Sequence, residues 1–134
     1  MIVADTNLIA YLLIQGDFTE QAELVYQTDQ EWVAPYLWRS EFRNILALYL
    51  RKNYLSLADA QTIMFQAEDL MRTKEYELDS ESILSLVSTC SLSEYDCEYV
   101  VLAEKLSINL VTNDKKVVKS FPNIAISLTS YLEN

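Results

Sequence analysis

The chain of 134 residues has no histidine, one glycine, two prolines and two cysteines. Without histidine, the Ser-His-Asp and Cys-His nucleophile arrangements, histidine general-base chemistry and every histidine-containing zinc site are excluded. Two cysteines cannot close a structural zinc site either. They stand seven apart, at Cys90 and Cys97; on one helix they would be about 10 Å from each other, too far for a disulfide, and the expectation is two free thiols in a reducing compartment. A single glycine, Gly16, leaves no glycine-rich loop to cradle phosphate. No apolar run approaches the ~18 residues of a membrane span, and no basic leader with an apolar segment precedes Asp5. A cytoplasmic protein without membrane association is therefore expected. For chemistry, carboxylates with a hard metal ion are the most available route.

What is present points to one domain over residues 1–134. The length suffices to bury about two thirds of the unfolded surface, and 51% hydrophobic with 22% charged residues suits a globular core under a charged surface. The net charge is −10, from 10 basic and 20 acidic residues. That balance argues against a free-standing nucleic-acid-binding domain and fits a basic protein partner or simple solubility.

Apolar periodicity predicts a strand at 1–5, helices at 6–15 and 18–29, and a strand over Trp32, Val33 and Ala34 that ends at Pro35. Helices follow at 37–52 and 56–73, a short strand at 75–78, and helices at 80–89 and 94–107. The run 108–112 is a β-branched strand, Lys115 to Ser120 a short helix, and 124–126 a last strand. Short strands alternating with helices indicate a parallel sheet covered on both faces, with all strand carboxyl ends on one edge. Asp5 and Asp114 both sit at such ends and should meet.

Four carboxylates stand out. Asp5 joins an apolar strand to an apolar helix; it is either the helix cap or a residue of a site at the sheet edge. Glu41 falls in an apolar stripe between Leu37 and Leu48 on one side and Trp38 and Ile45 on the other. Buried there it needs a cation or hydrogen-bond donors, and Arg39 and Arg43 lie about 160° away around the helix. Asp96 closes Ser93-Glu94-Tyr95-Asp96, a variant capping box, yet shares a face with Tyr99, Val100 and Ala103. Asp114 either caps the Lys115 helix or forms an Asx turn. Each acid has a structural explanation; all four can reach one edge of the sheet, and one site explains them together.

Asp5 in VADTNLI, Glu41 in WRSEFRNIL, Asp96 in SEYDCEYVVLAEKL and Asp114 in LVTNDKKV resemble, in order and spacing, the four acidic motifs of PIN-domain ribonucleases of the VapC toxin type. The resemblance spans essentially the whole chain. It implies a PIN-like α/β/α sandwich with a short-stranded parallel central sheet, and hydrolysis of RNA phosphodiesters dependent on Mg²⁺ or Mn²⁺. It implies Asp5 and Asp96 as main metal ligands, Glu41 and Asp114 completing the site directly or through water, and Asn7 and Thr112 as supporting polar residues. It further implies a cognate antitoxin and a homodimer. Lys115, Lys116 and Lys119 are the candidates for contacts to an RNA backbone, against the reading of a solvated helix face. Lys52 shares the Glu41 face but lies roughly 16 Å along the helix.

Two other readings compete. A haloacid-dehalogenase-like phosphatase also opens with a strand-end aspartate, but wants a second aspartate where this chain has Asn7. A PIN-fold binding module without catalysis would suit the acidic surface. Tyrosines and tryptophans such as Tyr26, Trp38, Tyr49 and Tyr99 fit core or interface positions at helical spacing and carry no assigned function.

Overall fold

The computed structural model describes residues 1–134. Five short strands are present: β1 (Ile2–Ala4), β2 (Trp32–Pro35), β3 (Glu75–Tyr76), β4 (Leu110–Val111) and β5 (Ala125–Ile126). All neighbours pair in parallel, in the order β3-β2-β1-β4-β5. The eight helices are α1 (Thr6–Leu13), α2 (Thr19–Thr28), α3 (Trp38–Arg51), α4 (Leu57–Leu70), α5 (Ser80–Val87), α6 (Glu94–Leu106), α7 (Lys115–Ser120) and α8 (Leu128–Glu133). No helix is long and apolar enough to cross a membrane.

The strand order explains the layers. From β1 the chain steps outward to β2 and β3, then returns past β1 to form β4 and β5. Right-handed crossovers put α1–α4 on one face and α5–α6 on the other. Packing follows that division: α1 contacts α2, α3 and α4, whereas α6 lies across β1, β2 and β4 with α5 against it. Covered on both faces, the strands need no polar alternation, and Val3, Ala4, Trp32, Val33, Leu110 and Val111 are all buried. The direction of progression reverses between β1 and β4. At such a switch point the loops leave toward opposite faces and open a crevice at the strands' carboxyl ends.

The predicted elements are present, most with ends shortened by one to three residues; β2 instead runs one residue further, through Pro35, and α7 keeps its expected bounds. α8 was not anticipated; its start is set by Ser127, whose hydroxyl caps it by accepting the Ser130 N–H. With almost no glycine, three turns after helices use left-handed backbone at Asn53, Thr73 and Ser107. The spacing of the cysteines requires a correction. Cys90 lies in the turn between α5 and α6 while Cys97 lies on α6, so the chain doubles back and the two Sγ atoms come within 3.6 Å. Both are free thiols, and burial pushes the Cys97 thiol up to about 12.

The start of α3 is bolted to the sheet. Arg39 donates from Nε and Nη2 to Glu75 of β3 (2.5 and 2.9 Å) and from Nη1 to Glu68 of α4 (2.7 Å). The Trp38 indole N–H also donates to Glu75, at 2.8 Å. The Glu75 side chain is only 9% exposed, so it depends on these donors, and Arg39 holds its carboxyl below the usual carboxylate range. Arg39→Met is expected to cost about 1–3 kcal/mol, because the loss leaves a carboxylate short of its partner where water is scarce. Urea unfolding of the variant checks this.

Candidate active site

Each acid enters the crevice from a different element, and local chain chemistry sets its direction. Asp5 follows β1 and caps α1: its Oδ1 accepts the Leu8 N–H at 2.8 Å. Its Oδ2 accepts the Thr112 hydroxyl, donated from just past β4. The Thr112 Oγ1 in turn accepts the Asp114 N–H at 3.0 Å, so one buried hydroxyl ties two acids across the switch point. Asp114 caps α7, its Oδ1 accepting the N–H groups of Lys116 and Val117 at 2.9 and 3.3 Å. Asp96 sits in the first turn of α6, behind the Ser93 cap that accepts its N–H at 3.1 Å. Glu41 projects from the first turn of α3.

Asp5, Glu41, Asp96 and Asp114, with Asn7 and Thr112, line one cavity of about 80 Å³. The cap explanations for Asp5 and Asp114 are therefore correct and incomplete, since both capping residues also face the cavity. At α6 the cap is Ser93, and Asp96 supplies only the N–H that Ser93 accepts, so its carboxylate faces the cavity without a capping role. Glu41 differs in detail from its expected setting. The buried residues of α3 are Trp38, Phe42 and Leu46, and Leu48 is exposed, so Glu41 stands at the flank of the core stripe rather than within it. Lys115, Lys116 and Lys119 lie on α7, exposed, outside this cavity.

Two residues of the site were passed over in the sequence. The Thr6 hydroxyl donates to Glu41 Oε1 at 2.9 Å and the Tyr99 hydroxyl to the same oxygen at 2.6 Å. The two hydroxyl oxygens stand 2.5 Å from one another, and both residues are buried. The available signal was a tyrosine one helical turn beyond Asp96 on a core-facing position. A buried phenol needs a partner for its O–H, and the partner is Glu41. Burial, then the Glu41 charge, raises the Tyr99 hydroxyl far above its ordinary range, so it remains a donor.

The electrostatics leave the cavity short of positive charge. Burial pushes Asp5 up to about 6, opposed by the Thr112 and Leu8 donors and reinforced by Glu41 and Asp114. Asp96 is raised too, by burial first and by Asp114 next, with Lys116 the cation that opposes it. Behind them on α6, Glu98 rises to about 7 through burial and its hydrogen bond to Glu94. No three of these carboxylates converge closely enough to form a ready-made coordination set. As a donor set they nevertheless fit a hard divalent cation: every atom the four carboxylates offer is an oxygen, and the charge they lack is positive.

The sequence matches the PIN domain over residues 2–125. It is 27% identical over 124 residues to ribonuclease VapC3 of Pyrobaculum aerophilum, covering 90% of this chain and 95% of that protein. Among solved structures, PAE2754 from P. aerophilum superposes with a TM-score of 0.78 at 19% identity, covering 98% of this chain and 93% of the other. FitAcB from Neisseria gonorrhoeae gives 0.72 at 15% identity, with 96% and 99% covered. A toxin–antitoxin complex from Klebsiella pneumoniae gives 0.69 at 15% identity, with 96% and 98% covered. These superpositions share the fold, the sequence match extends from β1 into β5, and on that ground the chain belongs to the PIN domain family.

Proposed function

We propose that this chain is a metal-dependent endoribonuclease that hydrolyses RNA phosphodiester bonds as the toxin of a toxin–antitoxin pair. The observation that carries the reading is that four carboxylates, one of them pushed up to about 6 by burial, line a single cavity at the sheet's switch point. The ribonuclease name of the P. aerophilum relative and the toxin–antitoxin title of the K. pneumoniae neighbour support the same reading. It carries with it a cytoplasmic site of action, a cognate antitoxin and a homodimer.

Asp5 and Asp96 are the main ligands for Mg²⁺ or Mn²⁺, with Glu41 and Asp114 completing the set directly or through water. When bound, the ion supplies a water of lowered pKa and positive charge beside the phosphate. The chain's own residues do the rest. Thr112 holds Asp5 by its hydroxyl and keeps the β1 and β4 ends in register. Thr6 and Tyr99 occupy Glu41 Oε1, which leaves Oε2 as the oxygen free to serve the cavity. The lysines of α7 supply the cationic surface for the RNA backbone.

Outer hydrogen bonds to ligating groups are typically worth 10–100-fold in metal affinity or activity. Tyr99→Phe keeps the ring and removes one donor from Glu41, so cleavage is expected to fall by about that factor while melting shifts little. Steady-state rates beside a thermal melt check it.

The net charge of −10 favours one other reading, a PIN-fold binding module without catalysis. Cleavage of a structured RNA pool by antitoxin-free protein decides between them, with Mg²⁺ or Mn²⁺ and with EDTA, and with folded Asp5→Asn and Asp96→Asn variants alongside. Metal-dependent cutting that disappears in both variants supports the nuclease. No cutting by the wild type in any lane favours the binding module.

A further inference from the structure

Beside the acid cavity the surface carries a second kind of chemistry. Of the ten lysines and arginines, three are held in ion pairs and seven are in none, and three of those seven, Lys115, Lys116 and Lys119, fall within one short stretch. These three lie on α7, immediately after Asp114. Lys115 and Lys119 line a cavity of about 460 Å³ together with Phe18, Asn113, Val118 and Ser127. Phe18 is 45% exposed, yet its ring is backed by Tyr11 of α1, with centroids 4.8 Å apart. A cavity of about 190 Å³ borders the same Phe18 and reaches back to Asn7, which also lines the acid cavity.

From this arrangement we infer that Phe18, with Lys115 and Lys119, forms a subsite for single-stranded RNA, in which a base flanking the cut stacks on Phe18 and the lysines hold the adjoining phosphates. The inference rests on the nuclease reading and adds to it where the strand runs. A ring braced by a second ring presents a fixed apolar face at little cost in conformational freedom, and base–aromatic stacking tolerates any base. The lysines meet the repeating charge of a backbone where an acidic chain otherwise repels it. An anionic peptide and an RNA backbone both meet the negative charge of Asp96 and Asp114, but only the RNA offers flat bases to the Phe18 ring and, on the nuclease reading, the phosphodiester to be cut.

The test is fluorescence anisotropy of a labelled single-stranded RNA octamer with the wild-type chain in EDTA, where nothing is cut, over a range of salt. Phe18→Ala is expected to weaken binding about fivefold or more. Phe18→Leu preserves bulk against Tyr11 but removes the flat face, and should show a similar loss. Lys115→Ala and Lys119→Ala should each lower the slope of log affinity against log salt by about 0.7. Phe65→Ala, which removes an aromatic ring 67% exposed on α4, should bind as the wild type does. Wild-type affinity in Phe18→Leu, or an equal loss in Phe65→Ala, overturns the subsite and leaves the groove to a protein chain; metal-dependent cleavage in the same preparation then shows that the nuclease reading survives alone. A wild type that binds no RNA even at low salt overturns the subsite, and absence of metal-dependent cleavage would take the nuclease reading with it.

Discussion

Asp5→Asn is expected to reduce cleavage to background and, in the metal-free chain, to raise the melting temperature. The two effects share a cause. Burial and the neighbouring Glu41 and Asp114 lift Asp5 from an ordinary 3.8 to about 6, so above pH 6 the folded chain carries an ionised carboxylate that it would hold more cheaply as an acid. The difference between 3.8 and about 6 corresponds to about 3 kcal/mol, and relaxation of the site recovers part of it, leaving about 1–3 kcal/mol. The sign is that of a raised carboxylate. Below pH 4 the group is protonated both folded and unfolded, and wild type and variant should melt alike. Between pH 4 and 6 the gap opens, and above 6 it stays constant. Asparagine preserves the cap, since its side-chain oxygen accepts the Leu8 N–H as Oδ1 does, and its amide can donate to Thr112. A gain of this size should appear as a shift of several degrees in thermal melts at pH 7.5 in EDTA. A variant that loses stability at pH 7.5 would mean that the ionised carboxylate, through the bond it accepts from Thr112, helps to hold the fold, and would contradict the cost assigned to its charge.

Mn²⁺ is expected to raise the melting temperature of the wild type but not of Asp5→Asn, and its effect should fade as the pH falls below about 6. A ligand bound only by the folded chain stabilises it by about 2.7 kcal/mol at a hundred times its dissociation constant. Protons compete for the same oxygens, because a carboxylate must be ionised to ligate. With Asp5 at about 6 and Asp96 raised as well, affinity should drop about tenfold or more for each pH unit below that value. Cleavage measured from pH 4.5 to 8 at low Mn²⁺ should therefore decline on the acid side, and the decline should move to lower pH as Mn²⁺ is increased. A pH profile that ignores the metal concentration would contradict proton–metal competition.

The parts of this molecule legible in the sequence are those governed by local pattern. Apolar strands followed directly by acids placed Asp5 and Asp114 at strand ends, and alternation with helices implied the parallel sheet that brings those ends together. The Lys115–Ser120 helix was legible because Asp114 caps it. What stayed hidden depends on contacts distant in the chain. Tyr99 and Glu41 are 58 residues apart, and nothing near either one announces that a phenol will satisfy the carboxylate. Cys90 and Cys97 were misplaced because a helical spacing was applied across a turn. α8 is a six-residue segment whose burial against α2 comes from the closed fold rather than from a strong periodic signal of its own. The setting of Glu41 combined both kinds of information: the wheel placed it beside apolar residues, but only packing showed that Leu48 is exposed and that the stripe ends at Glu41's flank.

The central claim is that Asp5, Glu41, Asp96 and Asp114 together hold a divalent cation, and it can be tested without knowing which RNA is cut. Electron paramagnetic resonance of free Mn²⁺, titrated with the antitoxin-free wild-type chain at pH 7.5, follows binding directly. The free-ion signal should fall on addition of wild type and should remain when Asp5→Asn or Asp96→Asn replaces it. An undiminished signal with folded wild type at millimolar Mn²⁺, or equal quenching by wild type and both variants, would contradict the site.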